Sequence, residues 1–274
     1  GHSGGEIAAA YASEVLSVED AAMVAWGHVC IIKYLTGTGT MAHISLSSGE
    51  LKRFLVDQPT VTIAARNSPF ATVLVGQEEP LRSIVEKVEA DTDVFCRMLR
   101  VDVPLHSPSV EPYLDSIRSV ISGIYPNPPR IPIYSTLYGR LAQDGDFDTT
   151  YWCNHIRQPV EFMEAVTSAL SDGVESFLEL TPHAVLQDAM IDCSRAFGKT
   201  VFSCALMHRD EDAAPVISEA LSMLQSHNDN ITSRAVNEVL SDDAKRILDT
   251  DPARRMPLII ELVGDCLREA SGME

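Results

Sequence analysis

The chain opens on Gly1-His2-Ser3-Gly4-Gly5-Glu6, a G-x-S-x-G elbow that runs directly into the helix-forming stretch Ile7-Ala8-Ala9-Ala10-Tyr11. No other feature constrains the fold as much. Glycines beside a serine permit the sharp strand-to-helix turn that lifts its oxygen clear of the backbone, and the new helix points unpaired N–H groups toward an incoming anion. A serine held this way attacks carbonyl carbon. The turn therefore asks for an α/β fold, with a strand ahead of the serine and a helix behind it. No residue precedes Gly1 and there is no initiator methionine, so the natural protein is expected to begin earlier.

With 274 residues, 45% of them hydrophobic, the chain can bury a sizeable core, as one large domain with a smaller one inserted or appended. No apolar run reaches the length of a membrane span, and a cytoplasmic protein is expected. The six cysteines, Cys30, Cys96, Cys153, Cys193, Cys204 and Cys266, show no C-x-x-C spacing; they read as reduced core residues, and no metal site is expected. A formal charge of −18 argues against a nucleic-acid role. An anionic partner would need a local basic patch, for which Arg66, Arg97, Arg100, Arg130, Arg140 and Arg157 are the candidates.

Ser17, with Asp20 three residues on, begins a second helix in a capping-box arrangement. Residues 21–35 are apolar almost all round, which predicts a buried helix, ended by Gly37 and Gly39. From 41 to 102 the periodicity changes. Strands are predicted at 43–46, 61–64, 72–75 and 95–101, with helices at 49–56 and 80–89 and a turn at Asn67-Ser68-Pro69. This βαββαβ order is ferredoxin-like and reads as a small domain inserted after the second helix. Beyond it, helices at 110–124, 159–170 and 185–197 alternate with strands at 131–137, 176–180 and 200–206, which implies a mainly parallel sheet. Residues 231–274 become polar and helical.

A serine nucleophile needs a base, and spacing alone does not choose among eight histidines. His106 stands out because it follows the last strand of the inserted domain, where the chain re-enters the main one, and Ser107-Pro108 then starts a helix. A histidine at such a junction can face the elbow, accept the Ser3 proton and later return it.

The motifs, in order, are the elbow; Leu16-Ser17-Val18-Glu19-Asp20-Ala21-Ala22; Ala64-Ala65-Arg66-Asn67-Ser68-Pro69; and His106-Ser107-Pro108 with Glu111-Pro112. Ile133-Tyr134-Ser135-Thr136, Tyr151-Trp152 with Arg157-Gln158-Pro159-Val160, and Pro182-His183-Ala184-Val185-Leu186 follow. Together they resemble the acyltransferase domain of modular type I polyketide synthases, related to malonyl-CoA:acyl-carrier-protein transacylases, over residues 1–227. The resemblance implies an α/β-hydrolase-like part (1–39 and 103–227), a ferredoxin-like subdomain (40–102), and a C-terminal helical extension. In that extension, 228–274 resembles a linker and the start of an acyl carrier protein.

It also implies roles. Ser3 would be the nucleophile and His106 its base, oriented by a backbone carbonyl rather than by an aspartate. An acyl group would pass from coenzyme A to Ser3 and then to the phosphopantetheine thiol of an acyl carrier protein, beside neighbouring domains such as a ketosynthase, with no bound cofactor. The Gly4 N–H would supply half of the oxyanion hole. The other half resembles a glutamine loop that the family places ahead of the elbow, so this stretch by itself is expected to be nearly inactive, one lost donor costing about 10²- to 10³-fold. Glu6 reads as structural, complementing the helix macrodipole, Asn67 as a turn cap at the pocket's edge, and His155 as structural.

Two departures bear on substrate. His28 stands where the family usually carries the arginine that clamps a malonyl carboxylate. Val103, Pro104 and Leu105 ahead of His106 match neither the malonyl nor the methylmalonyl pattern. The expectation is a pocket for a non-carboxylated acyl starter, with an ordinary extender unit or a degenerate domain as competing readings. A serine thioesterase or editing hydrolase shares the elbow chemistry, and a non-catalytic scaffold shares the fold.

Overall fold

The computed structural model describes residues 1–227. They form two compact units, one built from Gly1–Val174 and Ala189–Lys199, the other from Glu175–Asp188 and the described part of the stretch that begins at Thr200. The expectation of a linker and further module at 228–274 lies outside the described residues.

In the first unit the elbow leads into α1 (Gly5–Ala12), followed by α2 (Val18–Leu35). Ser17 caps α2, its hydroxyl oxygen accepting from the Asp20 N–H, which meets one of the four donors a helix start leaves open. The apolar circumference of α2 does not bury it. Val24, Gly27, His28, Ile31 and Leu35 are buried, whereas Met23, Trp26, Val29 and Tyr34 are exposed, because α1 and the later helix α5 (Leu114–Val120) cover one side only. Gly27 marks the close approach: a Cβ there would lie 3.3 Å from Ile121 Cγ2.

Residues 40–98 follow the strand-helix-strand-strand-helix-strand order read from the periodicity: β1 (Thr40–Ile44), α3 (Ser48–Leu55), β2 (Thr62–Ser68), β3 (Ala71–Gly76), α4 (Glu78–Asp91) and β4 (Cys96–Met98). The four strands form one antiparallel sheet in the order β2-β3-β1-β4. Both helices lay their apolar stripe on it, so that Leu51, Leu81, Ile84 and Val88 pack with Ala42, Ile44 and Leu74 in a core from which water is excluded.

β2 runs four residues further than its apolar run and carries two register shifts, between Ile63 and Ala65 and between Arg66 and Ser68. Each leaves a bulged residue, Ala64 and Asn67, and bulges re-aim side chains and end pairing. The Ala64 carbonyl accepts from Val160 N–H and the Arg66 N–H donates to the Val160 carbonyl, both at 2.9 Å, so the ladder continues onto a distant segment.

After β4 come a 3₁₀ helix (Pro108–Tyr113), α5, and then β5 (Tyr134–Ser135) paired antiparallel with β6 (Arg140–Leu141). The strand expected at 131–137 is cut to Tyr134–Ser135: Pro132 has no N–H to donate to a ladder, and beyond Ser135 the Thr136 N–H donates to the Glu6 carboxylate while its carbonyl accepts from the Glu161 N–H. α6 (Thr149–Arg157) completes the larger core, with Tyr151, Trp152 and Ile156 buried beside Ile7, Ala10, Val24, Ile31 and Ile117, and α7 (Phe162–Ser171) packs against β2, β5 and β6.

The second unit holds β7 (Ser176–Glu179) parallel to β8 (Phe202–Ala205), with Cys204, Leu206 and Ala220 of α9 (Ala213–His227) as its core. α8 (Gln187–Ala196) lies between those strands in sequence. Among the described residues this is the one parallel strand pair. The mainly parallel sheet read from alternation is not what the described strands form.

Candidate functional site

Ser3 and His106 are 103 positions apart and meet: the Ser3 hydroxyl donates to His106 Nε2 at 2.7 Å. Two local devices aim them. Ser3 has φ 50° and His106 φ 56°, both in the left-handed region that costs a non-glycine residue roughly 1–3 kcal/mol and clusters at functional sites. On the histidine side, Leu105 N–H donates to the Val103 carbonyl at 3.0 Å and the Ser107 hydroxyl to that of Pro104 at 2.6 Å. The tight turn so formed delivers His106 into the interior. Val103 and Leu105 lie half-buried against the larger core, and Pro104 presses on Gly39, where a Cβ would come within 2.9 Å of its ring.

The far side of His106 is fixed by the C-terminal end of α6. Its N–H donates to the Ile156 carbonyl at 2.9 Å and its ring Nδ1–H to the Gln158 carbonyl at 3.0 Å. With the proton held on Nδ1, Nε2 keeps its lone pair toward Ser3. Burial lowers the His106 pKa to about 4, opposed by the Gln158 bond, so the ring is neutral and proton-accepting at pH 7. Gly4 stands at the N-cap of α1, its amide among the helix's opening donors.

His28 lies close by and does not join the dyad. Its Nε2–H donates to the Trp152 carbonyl at 3.3 Å, and its ring stacks on His155, centroids 5.8 Å apart and 8° from parallel. Burial brings its pKa to about 4 as well, so the position offers a neutral ring. His155 stands edge-on to His106 at 6.0 Å. Its pKa lies well below the usual histidine range, through burial first and then the neighbouring His28 and His106. Neither of its ring nitrogens has a hydrogen-bond partner among the described residues, nor does Trp152 Nε1.

Asn67 is engaged differently from a simple turn cap. As the bulged residue of β2 it turns its Oδ1 to accept from His2 Nε2–H at 2.8 Å, tying the four-stranded sheet to the residue before Ser3. Ser68 takes the cap instead, its hydroxyl accepting from the Phe70 N–H at 3.1 Å. Of the candidate arginines, Arg66 pairs with Glu161, Arg130 with Glu14, Arg140 with Asp146 and Arg157 with Glu111, while Arg97 and Arg100 stay exposed. No group of three or more metal-binding side chains gathers among the described residues.

Sequence reasoning missed the interior role of Glu6. Its carboxylate is fully buried and accepts from the Thr136 N–H at 3.0–3.1 Å, and from the hydroxyls of Thr136 and Tyr151. Periodicity could not find this, since the partners lie 130 and 145 residues away.

A family model described as "Acyl transferase domain" matches residues 1–232. The chain is 35% identical over 215 residues to phthioceranic/hydroxyphthioceranic acid synthase of Mycobacterium tuberculosis, covering 77% of this chain and 10% of that one. It is 32% identical over 237 residues to polyketide synthase GfsE of Streptomyces halstedii, covering 86% and 6%. The chain thus spans a tenth or less of these relatives' length. Among solved structures it is similar to the acyltransferase domain from module 8 of the salinomycin polyketide synthase, with TM-score 0.77, 31% identity, and coverage of 81% of this chain and 52% of that one. It is likewise similar to a loading acyltransferase from the avermectin modular polyketide synthase, with TM-score 0.76, 31% identity, and coverage of 82% and 71%.

Proposed function

The chain belongs to the acyl transferase domain family, and from that premise we propose that it carries an acyl group from coenzyme A, through Ser3, to the phosphopantetheine thiol of an acyl carrier protein. The observation that carries the reading is the 2.7 Å Ser3–His106 hydrogen bond, backed by the Gln158 carbonyl on Nδ1. Ser3 Oγ attacks the thioester carbon as its proton passes to His106 Nε2. The tetrahedral oxyanion is met by the Gly4 N–H at the start of α1. Collapse breaks the C–S bond, and the imidazolium returns its proton to the coenzyme A thiolate. The carrier thiol then repeats the sequence on the acyl-serine, giving up its proton to His106 and leaving Ser3 free. Gln158, by holding the Nδ1 proton, does the orienting work that a triad aspartate does elsewhere.

The acyl group on this reading is a non-carboxylated starter. A ring held neutral at position 28 offers a malonyl carboxylate no cation, and a hydrogen bond to a charged group contributes about 1.5–3 kcal/mol, or roughly ten- to a hundred-fold. The fold reads as an α/β-hydrolase-like part, 1–39 and 103–227, carrying a ferredoxin-like subdomain at 40–102, whose partner would be an acidic carrier protein in a cytoplasmic synthase with a ketosynthase nearby. No helix among the described residues is long and apolar enough to cross a membrane.

Intact-mass measurement of acyl loading onto the full-length protein from malonyl, methylmalonyl, acetyl and longer acyl-CoA esters, with Ser3→Ala as control, tests nucleophile and pocket together. Acetyl and longer groups are expected on Ser3 ahead of malonyl, with His28→Arg reversing the order. Malonyl loading fastest in the wild type would end the starter reading; no Ser3-dependent adduct from any ester would end the transfer reading.

A further inference from the structure

We propose that Glu6 is a positioning residue for the reaction: its buried carboxylate registers the nucleophile's helix against α6, the helix whose far end holds the base. This rests on the Ser3–His106 reading above. The linkage is continuous. Glu6 N–H donates to the Ser3 carbonyl at 2.9 Å, so its backbone belongs to the same turn as the nucleophile. Its carboxylate gathers Thr136, which follows β5, and Tyr151, in the first turn of α6. The other end of α6 supplies the Ile156 and Gln158 carbonyls that fix the backbone and ring of His106. One carboxylate thus stands between the two halves of a dyad drawn from segments 103 residues apart.

A carboxylate is suited to this task because it only accepts. Burial pushes the Glu6 carboxyl above its ordinary range, opposed by the hydrogen bonds from Thr136 and Tyr151; ionised, its two oxygens take three donors from two segments with no donor of their own to satisfy. Tyr151 is held by more than Glu6: its hydroxyl also shares a 2.7 Å bond with Ser135 Oγ, and its ring lies 4.4 Å from that of Phe147. The grip therefore moves α6 as a body rather than one side chain. Losing it leaves buried donors unpaired and lets α1 and α6 shift independently, and misplacement by about 1 Å at a reacting pair is enough to cost around 10²-fold in rate.

The test is the rate at which a fluorophosphonate phosphonylates Ser3 in the full-length protein, followed across pH. In that step the Ser3 Oγ–P bond forms, P–F breaks, fluoride leaves, and the serine proton goes to His106. Four histidines meet there: His2 from the elbow, His28 from α2, His155 from α6, and His106 itself, with Glu6 3.8 Å from His155 Nε2. Glu6→Gln, which keeps one acceptor oxygen, is expected to slow the saturated rate about ten-fold, and Glu6→Met, which keeps none, about a hundred-fold. The half-saturating probe concentration should stay within about two-fold. The acid limb should rise from about 4 toward the ordinary histidine value of 6.5 as His106 loses its enclosure.

Tyr151→Phe removes the partner's hydroxyl without touching the elbow, and should reproduce the rate loss and the pH displacement. Combined with Glu6→Gln it should cost little more than either change alone, as expected of residues on one path. Should the Glu6 variants fail to fold, Tyr151→Phe decides the matter. Folded variants that keep the wild-type rate and acid limb would overturn the proposal. A wild-type chain unlabelled at Ser3 would instead overturn the dyad, and the proposal with it.

Discussion

The dyad region and the four-stranded sheet lie in one unit and are built on opposite terms. In the sheet the central strand β1 pairs with β3 and β4 in regular register, and the core beneath it is apolar. Around Ser3 and His106 the interior is polar, both residues carry left-handed backbone, and each is positioned by segments far away in sequence. The sheet is stabilised by what it buries. The dyad is held in a costly conformation by surroundings that over-determine it. The sheet should accordingly answer to mutation in stability, and the dyad in rate.

His106→Ala gives the largest separation of the two. Loss of the base should cut the phosphonylation rate of Ser3 roughly 10³-fold. Unfolding in urea near pH 5, between the folded value of about 4 and the ordinary 6.5, should move little, because there the change also removes a desolvated ring held neutral against its solution preference. A large loss of stability with His106→Ala would break the contrast.

Leu74→Ala is the converse. Leu74 is fully buried at the centre of β3, under both helices of the sheet. Its truncation leaves a cavity, and a loss of about 2–5 kcal/mol is expected in urea unfolding. The folded fraction should still label at the wild-type rate. A slowed folded fraction would mean that the Asn67–His2 tie transmits strain in the sheet to the elbow.

The same contrast decides what was legible in the sequence. The βαββαβ order could be read because periods of two and of 3.6 alternate within sixty residues, and each element's burial is decided by its own side chains. Ser3 and His106 could be read because an elbow and a junction histidine are local features. The bulge at Asn67 could not, since a strand's apolar pattern does not show where its partner slips by one. Nor could the inward carboxylate of Glu6, because a glutamate in a helix's first turn satisfies the macrodipole equally well when it faces water. The α2 helix misled for a related reason: apolar residues all round state what a helix could bury, and neighbours decide what it does bury. At 131–137 the β-branched residues outweighed Pro132 in the pattern, while in the fold the missing N–H and the bonds of Thr136 to Glu6 and Glu161 prevailed.

The smallest effect sharpens the comparison at its edge. Ser47 opens α3 with a reciprocal capping box: its hydroxyl oxygen accepts from the Glu50 N–H at 3.2 Å, and its own N–H donates to Glu50 Oε2 at 3.0 Å. Ser47→Ala removes one half of that exchange on an exposed surface, and Ser/Thr-to-Ala changes at such caps cost about 1 kcal/mol. The loss should appear in urea unfolding, because the cap sets the start of the helix that carries Leu51, fully buried in the sheet's core. Its reach should stop there. α3 packs against α4 and β2, so Ser3 labelling and its acid limb should match the wild type. If this small, remote change altered the rate, the sheet would be part of the catalytic support and the division drawn above would fail; if stability alone falls, the sheet is a support whose stiffness the dyad does not sense.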